Sequence, residues 1–289
     1  MAQRPRRRIA VVTDSAACVP GALARELEIH VVPLEVTLEK KTYLDGVDIT
    51  PTQFYRRLRE SRTPPTTSQP ALGKFAKLYR EVGQQVEGIV SIHVAGGLSS
   101  TADVARLAAE QASPVPIRMV DSYTATIAEG FVVLSAARAA QSGASLEEVV
   151  STAEYYRSRV GFFLTLETLE HLHRGGRIGR AAALLGSRLR IYPIIYLANQ
   201  RVSVAGVTRS RRRALKRVLD LTAARVGSVP VRASVFHADA LEEANWMAQE
   251  VQQRLECVEF FISEFTPVMG AHSGPGVVGV AFCLEDRAG

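Results

Sequence analysis

The chain has 289 residues, 47% of them hydrophobic and 22% charged, with a formal net charge of +6, a balance that suits a folded soluble protein large enough for two domains. No apolar run reaches the roughly 20 residues needed to span a bilayer, and MAQRPRRR lacks the apolar stretch of a secretory signal, so a cytoplasmic location is expected. Cys18, Cys257 and Cys283 are scattered and odd in number, which excludes a disulfide framework and a zinc-ligand spacing.

Ile9 to Thr13 is a short apolar run followed by Asp14 and Ser15, the way a buried parallel strand ends at a loop. Val31 to Leu38 reads as a second strand, and Thr50-Pro51-Thr52-Gln53 as a capping box opening a helix to about Glu60. In Arg62 to Gly73 (RTPPTTSQPALG), Ser68-Gln69-Pro70 looks like a capped helix start, with the helix running from Pro70 to about Val82. Next come a strand from Gly88 to Val94, the turn from Ala95 to Thr101, a helix to about Gln111, and a strand Val115 to Val120 that ends in Asp121-Ser122. Thr126 with Glu129, and Ser145 with Glu148, read as capping boxes of two further helices. This alternation predicts a parallel sheet with helices on both faces and a ligand crevice beyond the strands' carboxyl ends.

The texture changes after Tyr156. Gly161 to Leu166 is a strand, Glu167 to His173 a short helix, and Arg174-Gly-Gly-Arg-Ile-Gly a sharp basic turn in which Gly175 and Gly176 permit positive φ and close backbone approach. Ile191 to Leu197 and Arg201 to Val207 form a strand pair around Asn199-Gln200. A basic helix from Ser210, a strand Val231 to Phe236, a helix from Leu241 and a strand Val258 to Ile262 follow, and His272 lies in a glycine-rich bend before a last strand. The expected fold is α/β with two α/β domains. Residues 1–160 form the first, a parallel sheet with helices on both faces. Residues 161–289 form the second, a smaller mixed sheet with helices.

The chemistry offers several readings. Thr66, Thr67 and Ser68 beside a helix start can form an anion seat for a carboxylate or phosphate, or simply an ordinary cap. Arg177 presents a fork of donors to an oxyanion. His171 and His173, two apart on a helix, face different directions and lack a third ligand, so no metal is expected. There is no GxxxxGK[ST] loop, so the chain binds no nucleotide by itself. Ser15 or Ser122 with His272 can be drawn as a hydrolase or transferase arrangement in the cleft between the domains, but no G-x-S-x-G elbow is present. Two basic clusters, Arg4, Arg6, Arg7 and Arg8, and Arg209, Arg211, Arg212, Arg213, Lys216 and Arg217, fit an acidic partner, an anionic membrane surface or nucleic acid. The nucleic-acid reading rests on charge alone, and no nucleic acid is expected.

TDSAACVP, PTTSQPALGKF, LSST, VDS, LETLEHLHRGGRIG, RIYPII, VTRSRRRAL and PVMGAHSGPGVVG, in this order from about Ile9 to Phe282, resemble the DegV family. The resemblance implies a bacterial cytoplasmic DegV-like protein that binds one long-chain fatty acid, without a catalytic residue of its own. It also implies a partner, the ATP-binding subunit of a fatty acid kinase, which holds ATP and Mg and receives the carboxylate for acyl phosphate formation. Contact with a membrane surface would be transient. Thr66 and Thr67 resemble the carboxylate contacts, and Arg177 and His272 the polar network behind them, with Ser122 and Asp14 supporting. This chain has Ala95-Gly96-Gly97 where the family usually has a serine before the LSGT-like turn, so the amides of Gly96 and Gly97 are expected to substitute. Ser100 replaces a glycine, and Tyr192 stands where a lysine is common. Arg209 and Arg213 are expected to form part of the partner-docking face.

Overall fold

Ile9–Asp14, Gly88–His93 and Val231–His237 are strands buried at every position. A strand covered on both faces needs no polar alternation, which is why these segments read as nearly continuous apolar runs. The computed structural model describes residues 9–112, 114–185 and 191–286. Arg4, Arg6, Arg7 and Arg8, and Arg190 of the RIYPII strand, lie outside the described residues. Among the described residues, those up to Leu34 together with Ser68–Ser158 form one compact unit, and Glu35–Thr67 with those from Arg159 onward form the other.

The first unit carries a four-stranded, all-parallel sheet in the order His30–Val32, Ile9–Asp14, Gly88–His93, Ile117–Asp121. Helices Leu72–Gly83 and Thr101–Ala112 place Phe75, Tyr79, Ala105 and Ala108 against Ala10, Val12 and Ile89. Thr126–Gln141 and Leu146–Arg157 pack on the same strands from the other side. The capping boxes at Thr50 with Gln53 and at Ser145 with Glu148 are both formed. The one expected at Thr126 is not: that helix has Ala125 at its N-cap position, and Glu129 turns inward.

The second unit holds a six-stranded mixed sheet, wider than the first unit's sheet rather than smaller. Its order is Arg201–Thr208, Tyr192–Ala198, Val160–Thr165, Val278–Leu284, Val231–His237, Cys257–Glu264. The first two strands form an antiparallel hairpin, and Asn199 and Gln200 at its tip adopt the positive φ that a tight two-residue turn requires. Helices Arg211–Val226 and Leu241–Arg254 bury Leu215, Val218, Leu219, Met247 and Val251 against Ile194, Val235 and Val280. Tyr192, at the position where a lysine is common, is buried in this cluster.

Residues 35–67 depart from the expectation of a first domain running unbroken to 160. Pro33 ends the run that begins at Val31, so His30–Val32 and Glu35–Leu38 are separate strands in different sheets. Glu35–Leu38 joins Lys41–Leu44 and Thr66–Ser68 in a three-stranded sheet of order Lys41–Leu44, Glu35–Leu38, Thr66–Ser68. Helix Pro51–Glu60 buries Phe54 and Tyr55. The Tyr55 hydroxyl donates to the Phe265 carbonyl at 3.2 Å, and Asp45 Oδ1 accepts the Val268 amide at 3.2 Å. A methyl at Gly270 would lie 2.5 Å from the Tyr55 hydroxyl, so that glycine is the space the ring occupies. These contacts join residues more than two hundred positions apart, beyond the reach of local patterning.

Candidate functional site

Thr66–Ser68 is a strand, not the cap of a helix. β-branched threonines favour the pleated backbone, and Pro70 biases Gln69 toward extended backbone. The following helix therefore starts only at Leu72, with Ala71 at the N-cap position and no side-chain cap. The expected seat of first-turn amides with the Thr66, Thr67 and Ser68 hydroxyls beside them is thus replaced by a strand that sorts its hydroxyls by face, since successive side chains point to opposite sides. Thr67 is half-buried and its Oγ1 lies 2.7 Å from His272 Nε2. Thr66 is exposed, and among the described residues nothing engages its hydroxyl.

His272 sits near the end of helix Pro267–Ser273 rather than in the bend after it. Burial, assisted by the positive charge of Arg177, pulls its pKa down to about 4, so the ring is neutral at pH 7 and its bond to Thr67 is one between uncharged groups. Its other nitrogen, Nδ1, is buried without a hydrogen-bond partner. Arg177 is exposed and curls back so that its guanidinium donates to the Gly175 carbonyl at 2.7 Å. Gly176 takes positive φ, whereas Gly175 serves close approach, being packed against the His272 ring. The structure therefore brings Thr67, His272 and Arg177 together within the second unit.

Asp14, Gly96, Gly97 and Ser122 belong to the first unit, where two turns at the strands' carboxyl ends are laced together. Asp121 Oδ2 accepts the Gly96 amide at 3.1 Å and Oδ1 the Tyr123 amide at 2.8 Å. The Ala95 amide donates to the Thr124 carbonyl at 2.8 Å. The Gly96 amide, expected to replace the missing serine hydroxyl, is thus already committed to a carboxylate. Ser122 Oγ donates to the Thr124 carbonyl, and Ser15 Oγ accepts the Leu34 amide, so both serines of the Asp-Ser pairs are tied to backbone groups.

A buried chain behind these turns escaped the sequence reading. The Tyr79 hydroxyl lies 2.8 Å from Ser91 Oγ, Ser91 Oγ 2.8 Å from His93 Nε2, and His93 Nδ1 2.9 Å from Asp14 Oδ2. Asp14 also accepts the Val94 amide on Oδ2 and the Ala16 amide on Oδ1. Ser91, His93 and Asp14 have the order of a hydrolase relay, yet all three are 0% exposed, and Ser91 is engaged on both sides. No substrate reaches it, so the chain is a structural brace. Its signal in the sequence was the pair Ser91 and His93, two apart in the run GIVSIH and therefore on one face of the strand.

Glu129 is buried beside this brace. Its Oε2 has no hydrogen-bond partner, while Thr13 Oγ1 donates to Oε1 at 3.5 Å. Burial, then the negative charges of Asp14 and Asp121, push its pKa well above the usual 4.5. The unfolded chain releases this proton above the usual value while the folded chain retains it, so stability falls as pH rises toward the folded pKa. Glu129→Gln removes that linkage. The variant should melt higher than the parent at pH 7 by an increment that shrinks toward pH 4.5, and thermal melts across that range showing a constant or negative increment would contradict the assignment.

Among the described residues no cluster of three His, Cys, Asp or Glu side chains is placed to hold a metal, and no helix is long and apolar enough to cross a membrane. These features define a two-unit α/β protein, one unit built on a parallel sheet and the other on a mixed sheet, with polar turns and a hydroxyl-bearing strand. The DegV family model, described as "uncharacterised protein, DegV family", matches residues 8–285. A DegV domain-containing protein of Streptomyces coelicolor is 37% identical over 95% of this chain and 98% of its own length. A Thermus thermophilus DegV family protein with fatty acid binding aligns with a TM-score of 0.91 at 35% identity, covering 96% of this chain and 100% of its own. DegV of Bacillus subtilis, a fatty acid binding protein, gives a TM-score of 0.86 at 33% identity, covering 96% of this chain and 99% of its own. The chain belongs to the DegV family.

Proposed function

We propose that this protein binds one long-chain fatty acid and presents its carboxylate to a separate ATP-binding subunit for acyl phosphate formation. The observation that carries the reading is the division of labour on strand Thr66–Ser68: Thr66 offers an exposed, unengaged hydroxyl, while Thr67 on the opposite face is pinned to His272. Thr66 donates to the carboxylate, and the Thr67–His272 bond with Arg177 behind it fixes the strand that holds Thr66. The family resemblance also implies Gly97, with Asp14 and Ser122 in support, and these residues belong to the first unit. The relatives from Thermus thermophilus and Bacillus subtilis, both fatty acid binding, support the ligand class.

A buried methylene contributes about 0.8 kcal/mol, so the tail dominates affinity and the headgroup contacts set orientation. The carboxylate must remain ionised to act as nucleophile, and donors around it favour the charged form. One carboxylate oxygen then attacks the γ-phosphorus of ATP held by the partner, an O–P bond forms, the bond to the β-phosphate oxygen breaks, and ADP leaves with the electron pair. This chain contributes positioning, and the partner supplies ATP and Mg.

Native mass spectrometry of the freshly purified protein should show a single added mass matching one fatty acid, and a protein that stays at its bare mass after incubation with oleate would end the proposal. Removing one hydrogen bond to a charged group costs about 1.5 kcal/mol or more, roughly tenfold in affinity. Thr66→Ala should therefore weaken oleate binding about tenfold, and Thr67→Val, which leaves Thr66 in place, by about threefold. A titration giving the opposite order would put the carboxylate on the Thr67 face.

A further inference from the structure

Two histidines and two glycines of the second unit form a reciprocal contact. Helix Glu170–Arg174 ends at Gly175 and helix Pro267–Ser273 ends at Gly274, each glycine donating its amide back into its own helix, to the His171 carbonyl at 2.9 Å and the Gly270 carbonyl at 2.8 Å. Each also receives the imidazole of the other helix. A methyl at Gly175 would lie 2.4 Å from His272 Nδ1, and one at Gly274 would lie 2.4 Å from His171 Cδ2 and 2.7 Å from its Nε2. Contacts that short do not occur, so both rings rest directly on backbone that only glycine leaves bare.

We infer that this exchange, His171 onto Gly274 and His272 onto Gly175, is a clasp whose task is to hold the His272 ring at Thr67, making His171, Gly175 and Gly274 positioning residues for the carboxylate grip. The inference rests on the reading of strand Thr66–Ser68 given under Proposed function. Without the clasp, His272 would be held by a single hydrogen bond to a half-buried threonine and by the packing of a short helix. With it, the ring is trapped between Thr67 Oγ1 on one nitrogen and the Gly175 backbone beside the other. The Arg177 guanidinium, bonded to the Gly175 carbonyl, closes the same corner. The charged groups around the two rings are Arg177 for His272, and Glu170 and Arg174 for His171. Burial dominates both, lowering His171 below the usual 6.5 and His272 to about 4, as expected of rings sealed against backbone.

Histidine-selective NMR titration of the full chain, paired with oleate binding, tests the clasp. In the parent, His272 should titrate near pH 4. Gly175 has an ordinary negative φ, so Gly175→Ala adds only the steric conflict. It should displace the ring, move the His272 midpoint toward 6.5 and weaken oleate binding about tenfold. His171→Ala, which removes the other half of the clasp without crowding and serves if the first variant does not fold, should shift the His272 midpoint in the same direction and weaken oleate about threefold. His173→Ala, at an exposed position, should move neither. A His272 midpoint unchanged in both Gly175→Ala and His171→Ala would overturn the clasp. A midpoint that moves while oleate affinity stays at the parental value would leave the clasp standing and overturn the placing of the headgroup on this strand.

Discussion

Asp14→Ala is expected to cost about 3–5 kcal/mol of stability, the range for breaking a buried charged partner out of its network. Asp14 is 0% exposed and its two oxygens take the His93 Nδ1 proton and the amides of Val94 and Ala16. Alanine leaves those three donors in an interior with no water to replace the lost acceptor, and each unmet buried group costs on the order of 1–3 kcal/mol. The loss would also reach beyond the strand. Val94 opens the turn that Asp121 and Thr124 hold from the other side, so removing one clamp loosens Ala95 to Gly97 as well. A protein of this size loses about 2–4 °C per kcal/mol, so thermal denaturation should fall by roughly 10 °C, with faster hydrogen exchange at Val94 and Ala16. Asp14→Asn keeps one acceptor and should fall in between. Tyr79→Phe removes only the far end of the chain, about 1 kcal/mol. An Asp14→Ala variant that lost less than Tyr79→Phe would show that the brace carries no tension at Asp14.

Much of this architecture was readable in the order of residues because it depends on short-range chemistry. The capping boxes at Thr50 and Ser145 work through atoms three residues apart, and the Asn199-Gln200 turn needs only two positive φ angles. The failures share a different physics. Thr126 with Glu129 has the spacing of a capping box, but the glutamate is drawn into the core beside Thr13, over a hundred residues away in sequence. Thr66 to Ser68 carries cap-forming residue types, yet pairing with Glu35–Leu38 makes it a strand, and strand alternation then separates two hydroxyls that a helix start would have kept together. The glycines of HRGGRIG and MGAHSGPG were visible as sharp turns. Their second task, leaving room for each other's histidines, appears only when two helices about a hundred residues apart are seen side by side.

If the protein acts as proposed above, reversing charge at Arg209 and Arg213 should reduce partner-dependent acyl phosphate formation at least tenfold at low salt while leaving oleate affinity intact. Arg209 is exposed just beyond strand Arg201–Thr208. Arg213, on the next helix, lines a cavity of about 360 Å³ with Thr208, Lys216 and Arg217. None of these four cations has an ion-pair partner among the described residues, and Asp220, the one acid at the cavity, is paired with Arg254. Neighbouring like charges left uncompensated on one helix face repel one another, which an acidic or phosphate-bearing partner relieves. Because both side chains are solvated and unpaired, substituting them should change stability by no more than about 0.5 kcal/mol, so lost activity cannot be assigned to unfolding. Arg211, one residue into the same helix, is the contrasting case: its guanidinium is held by Glu243, and its reversal would disturb the fold. The electrostatic origin carries its own signature. Screening over about 10 Å at 0.1 M salt should narrow the gap between parent and double variant as salt is raised. A coupled assay with the ATP-binding subunit in which Arg209→Glu with Arg213→Glu matches the parent at low salt would remove this face from the docking surface. A deficit that does not shrink with salt would point to a specific contact at one arginine rather than to the field of the whole face.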